Sequence, residues 1–220
     1  ESEFILKVGR KKIIVNLSCS PVFDDNDTFS GIVVAFDDLS KINKVKSTFK
    51  KYVSKNIVDK LLESEDSLNL GGTESDVTIL FSDIRGFTSM SEKLSPSEIV
   101  KLLNKYFKSM IDVVFKYNGT LDKIVGDELM VLYGVPLKNE NDTFDAVKTA
   151  VEMFKALDKF NKKIISEGYE PFRIGIGINQ GKAVSGNIGS DQQMNYTVIG
   201  DTINLGARLC SHAKSGEILI

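Results

Sequence analysis

Between residues 4 and 36, apolar and polar positions alternate in three runs, around 4–8, 12–20 and 30–36, broken at Gly9-Arg10 and at Asp24-Asp25-Asn26-Asp27. Alternation of period two, interrupted by turn residues, predicts three antiparallel strands. Three strands without a covering helix make a poor independent domain, so the chain reads as beginning inside one. The period then lengthens. Ile42, Val45, Phe49 and Tyr52 follow the spacing of a short coiled-coil seam, which fails after Tyr52, where Asn56 and Asp59 would fall on it. Ser54 is placed to cap a second short helix burying Ile57, Val58, Leu61 and Leu62. Lys41, Lys44, Lys46, Lys50, Lys51 and Lys55 occur here without an intervening acid, which reads as a solvated helix face rather than a lipid or nucleic-acid patch. Leu70-Gly71-Gly72 predicts a turn ahead of the main domain.

From residue 77 the predicted order is strand, helix, strand, strand, helix, strand. VTILFSD is a strand, and Ser95-Pro96-Ser97-Glu98 is a capping box with Pro at the first helical position, opening a helix to about Tyr117 that closes at Gly119. LDKIVGDELMVLYG predicts a hairpin turning at Gly126-Asp127. Residues 142–167 predict an amphipathic helix burying Phe144, Val147, Val151, Phe154 and Leu157 and stopping at Gly168. PFRIGIGIN and residues 182–187 read as two strands, followed by YTVIGD, a helix from about 202 and a last fragment, EILI. This β-α-β-β-α-β order predicts an α/β (α+β) protein with a ferredoxin-like sandwich.

Composition narrows the function classes. The chain has 220 residues with Lys+Arg 28 against Asp+Glu 30, so the basic excess of a general nucleic-acid binder is missing. Cys19 and Cys210 have no ligand-like spacing, which argues against a disulfide framework or a zinc site. A single His makes most His-based catalysis a poor expectation. No apolar run approaches the ~18–20 residues of a membrane span. The expectation is a cytoplasmic segment without membrane contact of its own, and a membrane-tethered parent protein is compatible with that.

The candidate chemistry lies at strand ends. Alone, Asp83 reads as an ordinary capping aspartate and Asp127 as hairpin turn chemistry. Ferredoxin-like topology, however, sets the first strand beside the central hairpin, so the two carboxylates can converge. Two carboxylates without a His or Cys cluster describe a site for a hard cation, Mg²⁺ or Mn²⁺, completed in part by substrate phosphates. Asn204 and Arg208, four apart, share a helix face. By spacing alone that face is solvated; an Arg beside Gly206 and Ala207 is also compatible with a phosphate clamp.

FSDIRGFT (81–88), LDKIVGD (121–127), IGIGIN and GKAVSGNIGS (within 174–190) and YTVIGDTINLGARL (196–209), in this order, resemble the class III nucleotidyl cyclases. Residues 4–40 resemble the last strands of a PAS sensor domain, with Asp38-Leu39-Ser40 at its junction with an output helix, and KKYVSKNIVDKLLE resembles a cyclase transducer helix. The expected organisation is therefore a PAS-like tail over 1–40, a helical linker over 41–70, and a cyclase domain over 71–220.

The resemblance implies that Asp83 and Asp127 bind two divalent ions, Mg²⁺ or Mn²⁺, around a nucleoside triphosphate. Arg208 matches the transition-state arginine and Asn204 the residue orienting the ribose. The backbone of Ile84, Arg85, Gly86, Phe87 and Thr88 would cradle the β- and γ-phosphates. Lys123 and Thr197 match the purine-selecting pair: a Lys donor suits adenine N1, and a Thr hydroxyl can accept from the 6-amino group, although it can also donate. Guanylyl members tend to carry Glu and a small thiol or hydroxyl residue there, so ATP is the expected substrate. Each site is expected between two protomers of a homodimer, under the control of a sensor whose ligand the sequence does not identify. Family members usually carry a further phosphate-binding Lys beyond the position of Ile220. A guanylyl cyclase, or a catalytically weak nucleotide-binding or dimerisation domain, remains an alternative.

Overall fold

A computed structural model describes residues 3–9, 11–49, 57–58, 69–190 and 192–220. The chain forms two compact units, Glu1–Val53 and Ser54–Ile220.

In the first unit, β1 (Glu3–Val8), β2 (Lys11–Phe23) and β3 (Phe29–Asp38) form an antiparallel sheet in sequence order. Asp24 accepts from the backbone N–H groups of Asn26 and Thr28 and so fixes the β2–β3 turn. Successive residues of a strand face opposite sides, and Val33 and Val34 are both exposed, so apolar surface is open on each face of this sheet. Asp38 accepts from the Ser40 N–H at 2.8 Å, and Leu39 N–H donates to Ile14 O, tying the strand end to the start of α1 (Ser40–Phe49). On α1 the seam residues Ile42 and Val45 are exposed. The expectations for Tyr52, Ser54, Leu61 and Leu62 lie outside the described residues; Ile57 and Val58 are buried, as expected.

The second unit is built on a sheet ordered β5-β6-β4-β7-β8, with β9 added beside β7. Its strands are β4 (Gly71–Ile84), β5 (Thr120–Val125), β6 (Glu128–Tyr133), β7 (Ile174–Ser190), β8 (Gln193–Ile199) and β9 (Ile218–Leu219). The β7-β4-β6-β5 portion, antiparallel throughout, has the expected ferredoxin-like order. One face is covered by α3 (Pro96–Lys116) and α4 (Asp142–Ser166) over Leu80, Leu129, Val131, Ile174 and Ile176. The capping box at Ser95 and Glu98 is present. The other face, through Val77, Ile79, Phe81, Met130 and Leu132, packs Cys210 of α5 (Asp201–His212).

Three expectations change. The buried face of α4 is Ala146, Thr149, Ala150, Met153, Leu157, Phe160 and Ile164, while Phe144 and Val151 are exposed. Small residues let the helix lie close to the sheet, and Thr149 takes a hydrogen bond from Tyr133 Oη at 2.7 Å. Residues 174–190 form one continuous strand rather than two. Gly71 and Gly72 belong to β4, paired with Asn187 and Gly186, instead of forming a turn. A Cβ on Gly72 would meet the Val184 side chain and the Ser185 carbonyl, so this glycine serves close packing.

Candidate active site

Asp83 stands at the end of β4 and Asp127 at the tip of the β5–β6 hairpin. Because β4 pairs with β6, the strand end and the hairpin tip meet: Ile84 N–H donates to Asp127 Oδ2 at 3.2 Å. The Asp127 carboxyl is pushed up to about 7, first by burial, then by hydrogen bonding to Asp83 and by the negative charge there. Glu128 is also raised, by burial and then by Asp83. Arg85 Nη1 lies 3.1 Å from Asp83 Oδ2, offsetting part of this negative charge.

Arg85 does more than its place in the backbone loop suggested. Its Nη2 donates to the Cys210 carbonyl in the last turn of α5, where the helix dipole favours a cation. Its Nε is buried and without a hydrogen-bond partner among the described residues. The guanidinium thus joins the carboxylate end of β4 to the helix carrying Asn204 and Arg208. That helix lies close to the sheet because β7 carries Gly177 beneath it; a Cβ there would meet the Cys210 backbone nitrogen and the Gly206 carbonyl. Asn204 and Arg208 are exposed on α5, and among the described residues neither side chain is held in an ion pair.

Of the backbone donors expected from Ile84 to Thr88, two are already engaged. Ile84 N–H serves Asp127, and Arg85 N–H donates to Arg173 O at 2.7 Å. Gly86, Phe87 and Thr88 supply the remaining N–H groups as the chain turns into the short α2 (Phe87–Ser91).

Lys123 and Thr197 come together, from opposite edges of the sheet. In a flat sheet, β5 and β8 in this order would lie roughly 19 Å apart. Yet Lys123 Nζ donates to Thr197 Oγ1 at 3.0 Å. The sheet coils to allow this: Ala183 and Val198, from the β7–β8 end, pack in one cluster with Met130 of β6. A third residue, which sequence reasoning missed, joins the pair. Asp122 Oδ2 accepts from both Lys123 Nζ and Thr197 Oγ1, the latter at 3.1 Å. Consecutive strand residues should face opposite sides, but the β5–β6 register slips between Leu121 and Lys123. That bulge turns Asp122 and Lys123 toward the same neighbour. The only sequence signal was the Asp-Lys dipeptide itself.

Among the described residues, no hydrogen bond or ion pair links the Asp83–Asp127 pair to Lys123 and Thr197. Nor does any set of three His, Cys, Asp or Glu side chains converge as metal ligands among them. Two crowded carboxylates, one with its proton affinity raised by the other, fit a divalent cation whose remaining ligands come from elsewhere.

The profile of the adenylate and guanylate cyclase catalytic domain matches residues 72–220. The chain is 34% identical over 162 residues to adenylate cyclase 1 of Rhizobium meliloti (strain 1021), covering 74% of this chain and 24% of that protein. Among solved structures, the guanylyl cyclase Cya2 aligns with a TM-score of 0.66 and 45% identity, over 68% of this chain and 76% of that one. The adenylyl cyclase CyaB from P. aeruginosa aligns with a TM-score of 0.65 and 39% identity, over 68% and 78%. The chain belongs to the family of adenylate and guanylate cyclase catalytic domains. It spans about a quarter of the length of that Rhizobium meliloti protein. No helix among the described residues is long and apolar enough to cross a membrane.

Proposed function

We propose that this domain is an adenylyl cyclase, converting ATP to 3′,5′-cyclic AMP and pyrophosphate at sites shared between two copies of the chain. The observation that carries the choice of base is the 3.0 Å contact between Lys123 Nζ and Thr197 Oγ1. It sets a cationic donor beside a hydroxyl, an arrangement complementary to adenine N1 and its 6-amino group. Guanine presents N1–H and O6, so Lys123 would face a donor; a mismatched polar pair is costly when water is excluded.

Asp83 and Asp127 would hold the divalent ions. Bound Mg²⁺ or Mn²⁺ neutralises the triphosphate and lowers the pKa of the ribose 3′-hydroxyl. Asn204 would fix the ribose, and the free N–H groups of Gly86, Phe87 and Thr88 would take phosphate oxygens. The 3′-hydroxyl would release its proton to solvent as its oxygen attacks the α-phosphorus of the same molecule, closing the cyclic ester while the bond to the leaving pyrophosphate breaks. Nucleophile and electrophile belong to one substrate, so positioning supplies much of the rate. Arg208, exposed and without an ion-pair partner among the described residues, is available to counter charge on the α-phosphoryl oxygens. A second copy of the chain would bring Lys123, Thr197, Asn204 and Arg208 to the aspartates of the first. Among the described residues no hydrogen bond or ion pair joins Lys123 or Thr197 to Asp83 or Asp127 of the same chain, which suits that arrangement. The first unit, three strands leading through Asp38 into α1, would be the end of a PAS-like sensor that sets the protomer arrangement.

The 45% identity to a guanylyl cyclase favours a second reading, production of cyclic GMP. Assaying cyclic AMP from ATP and cyclic GMP from GTP, with Mn²⁺ and with Mg²⁺, separates the two. Cyclic GMP as the main product, or no turnover of either nucleotide, overturns the adenylyl reading.

A further inference from the structure

The pair that would read the base is not isolated. Asp122 is the extra residue of the β5 bulge, and its side chain is 1% exposed beside a Lys123 side chain that is 44% exposed. Its Oδ2 takes two hydrogen bonds, from Lys123 and from Thr197, while its Oδ1 is buried without a partner among the described residues. A buried carboxylate with one oxygen unpaired is costly, and a neutral residue of similar shape would fill the space more cheaply.

A count of donors and acceptors shows what Asp122 does. A Thr hydroxyl has one hydrogen and two lone pairs, and a Lys ammonium has three hydrogens. Thr197 spends its hydrogen on Asp122 and one lone pair on Lys123. Lys123 spends one hydrogen on Asp122 and one on Thr197. Met130 Sδ, 4.0 Å from Nζ, is a weak acceptor at the limit of range. What is left is one ammonium hydrogen beside one hydroxyl lone pair. Without Asp122 the hydroxyl hydrogen is free to turn outward, and Thr197 presents either a donor or an acceptor.

We propose that Asp122 is a positioning residue for base selection: by taking the Thr197 hydroxyl hydrogen, it makes Thr197 an acceptor only and so commits the Lys123–Thr197 pair to a 6-aminopurine. This deepens the adenylyl cyclase reading and rests on it. Asp122 touches no substrate atom; it acts through Thr197 and Lys123.

The test is Asp122→Asn, with kcat/KM measured for ATP, GTP and inosine triphosphate. Inosine carries N1–H and O6 like guanine but lacks the 2-amino group, so it isolates the edge that Lys123 and Thr197 would read. The Asn amide can donate to Thr197 Oγ1, which frees the hydroxyl hydrogen to meet O6. The preference for ATP over inosine triphosphate should fall about tenfold or more in the variant. In a Thr197→Ala background, Asp122→Asn should leave that preference where Thr197→Ala alone puts it. A merely structural role for Asp122 would lower turnover of all three nucleotides alike and leave the ratio unchanged, which overturns the proposal. An equal further fall in the Thr197→Ala background also overturns it. If Asp122→Asn proves unfolded by its melting curve, Asp122→Ser, smaller and able to donate, carries the same expectation. Failure of the underlying reading looks different: the unmutated protein itself would prefer GTP and inosine triphosphate, or turn over nothing.

Discussion

Ile84 gives its backbone N–H to the Asp127 carboxylate, so the end of one strand and the tip of the neighbouring hairpin are held by the same group proposed to hold a cation. Metal binding and the local fold therefore draw on one side chain, and Asp127 carries consequences for both.

The first consequence is a pH dependence. Asp127 titrates at about 7 in the folded chain against an ordinary 3.8, because burial and Asp83 disfavour its charge. A raised carboxyl pKa means that the folded state keeps a proton the unfolded state has lost. Stability of the metal-free protein should then fall as pH rises from about 4 to about 7, and level off above that. Asp127→Asn should flatten this dependence. Urea unfolding in EDTA at several pH values reads it, and equal slopes in both proteins would refute the assignment. Addition of Mn²⁺ should restore stability to the unmutated protein only.

Shared sites predict complementation. Asp127→Ala and Arg208→Ala should each reduce cyclic AMP formation to background when prepared alone. Mixed under conditions that exchange subunits, they should recover activity, because one site in each heterodimer is then intact. Confirmed heterodimers that remain inactive would argue for sites within single chains.

Exchanging the charge at Lys123, proposed to read the base, should invert the preference. Lys123→Glu replaces a donor with an acceptor suited to guanine N1–H, and it also sets a carboxylate beside Asp122. ATP turnover should drop by about a hundredfold or more, with KM rising, as expected when a donor–acceptor pair to the base is mismatched. Steady-state kinetics with ATP and GTP measure it. An unchanged preference would remove Lys123 from base recognition.

Gly177→Ala tests the seat of α5. The added methyl would meet the Cys210 nitrogen and the Gly206 carbonyl, both backbone, so the helix itself must move. A loss of about 1–3 kcal/mol is expected for such overpacking. Because Asn204 and Arg208 travel with the helix, kcat should fall more than stability alone explains. Thermal melts and turnover on the same sample separate the two.

Much of this was legible in the sequence because local chemistry spoke clearly. Ser95 to Glu98 named its own helix start, Gly126-Asp127 named the hairpin, and the strand at 77–83 was apolar enough to be central. What escaped depended on neighbours far away in sequence. The face of α4 was misjudged because bulk counts for more than fit in a hydropathy pattern, whereas Ala146 and Ala150 are what the sheet admits. The unity of β7 was hidden by Gly181, which looks like a break but lies in register opposite Val77. Asp122 left only the Asp-Lys dipeptide as a trace, since a bulge is a relation between two strands and is not marked on one.

That single long strand has an evolutionary price. Near one end of β7, Gly177 seats the helix proposed to hold the ribose and the reacting phosphate; nine residues on, Gly186 lies opposite Thr197 in the ladder. Between them Thr202 of α5 donates to the Lys182 carbonyl at 2.7 Å, pinning helix to strand midway. A lineage that altered its nucleotide preference by shifting β8 would drag α5 with it. If positions 122, 123 and 197 select the base as proposed, side-chain exchange there is a route by which selectivity can drift without moving the strand.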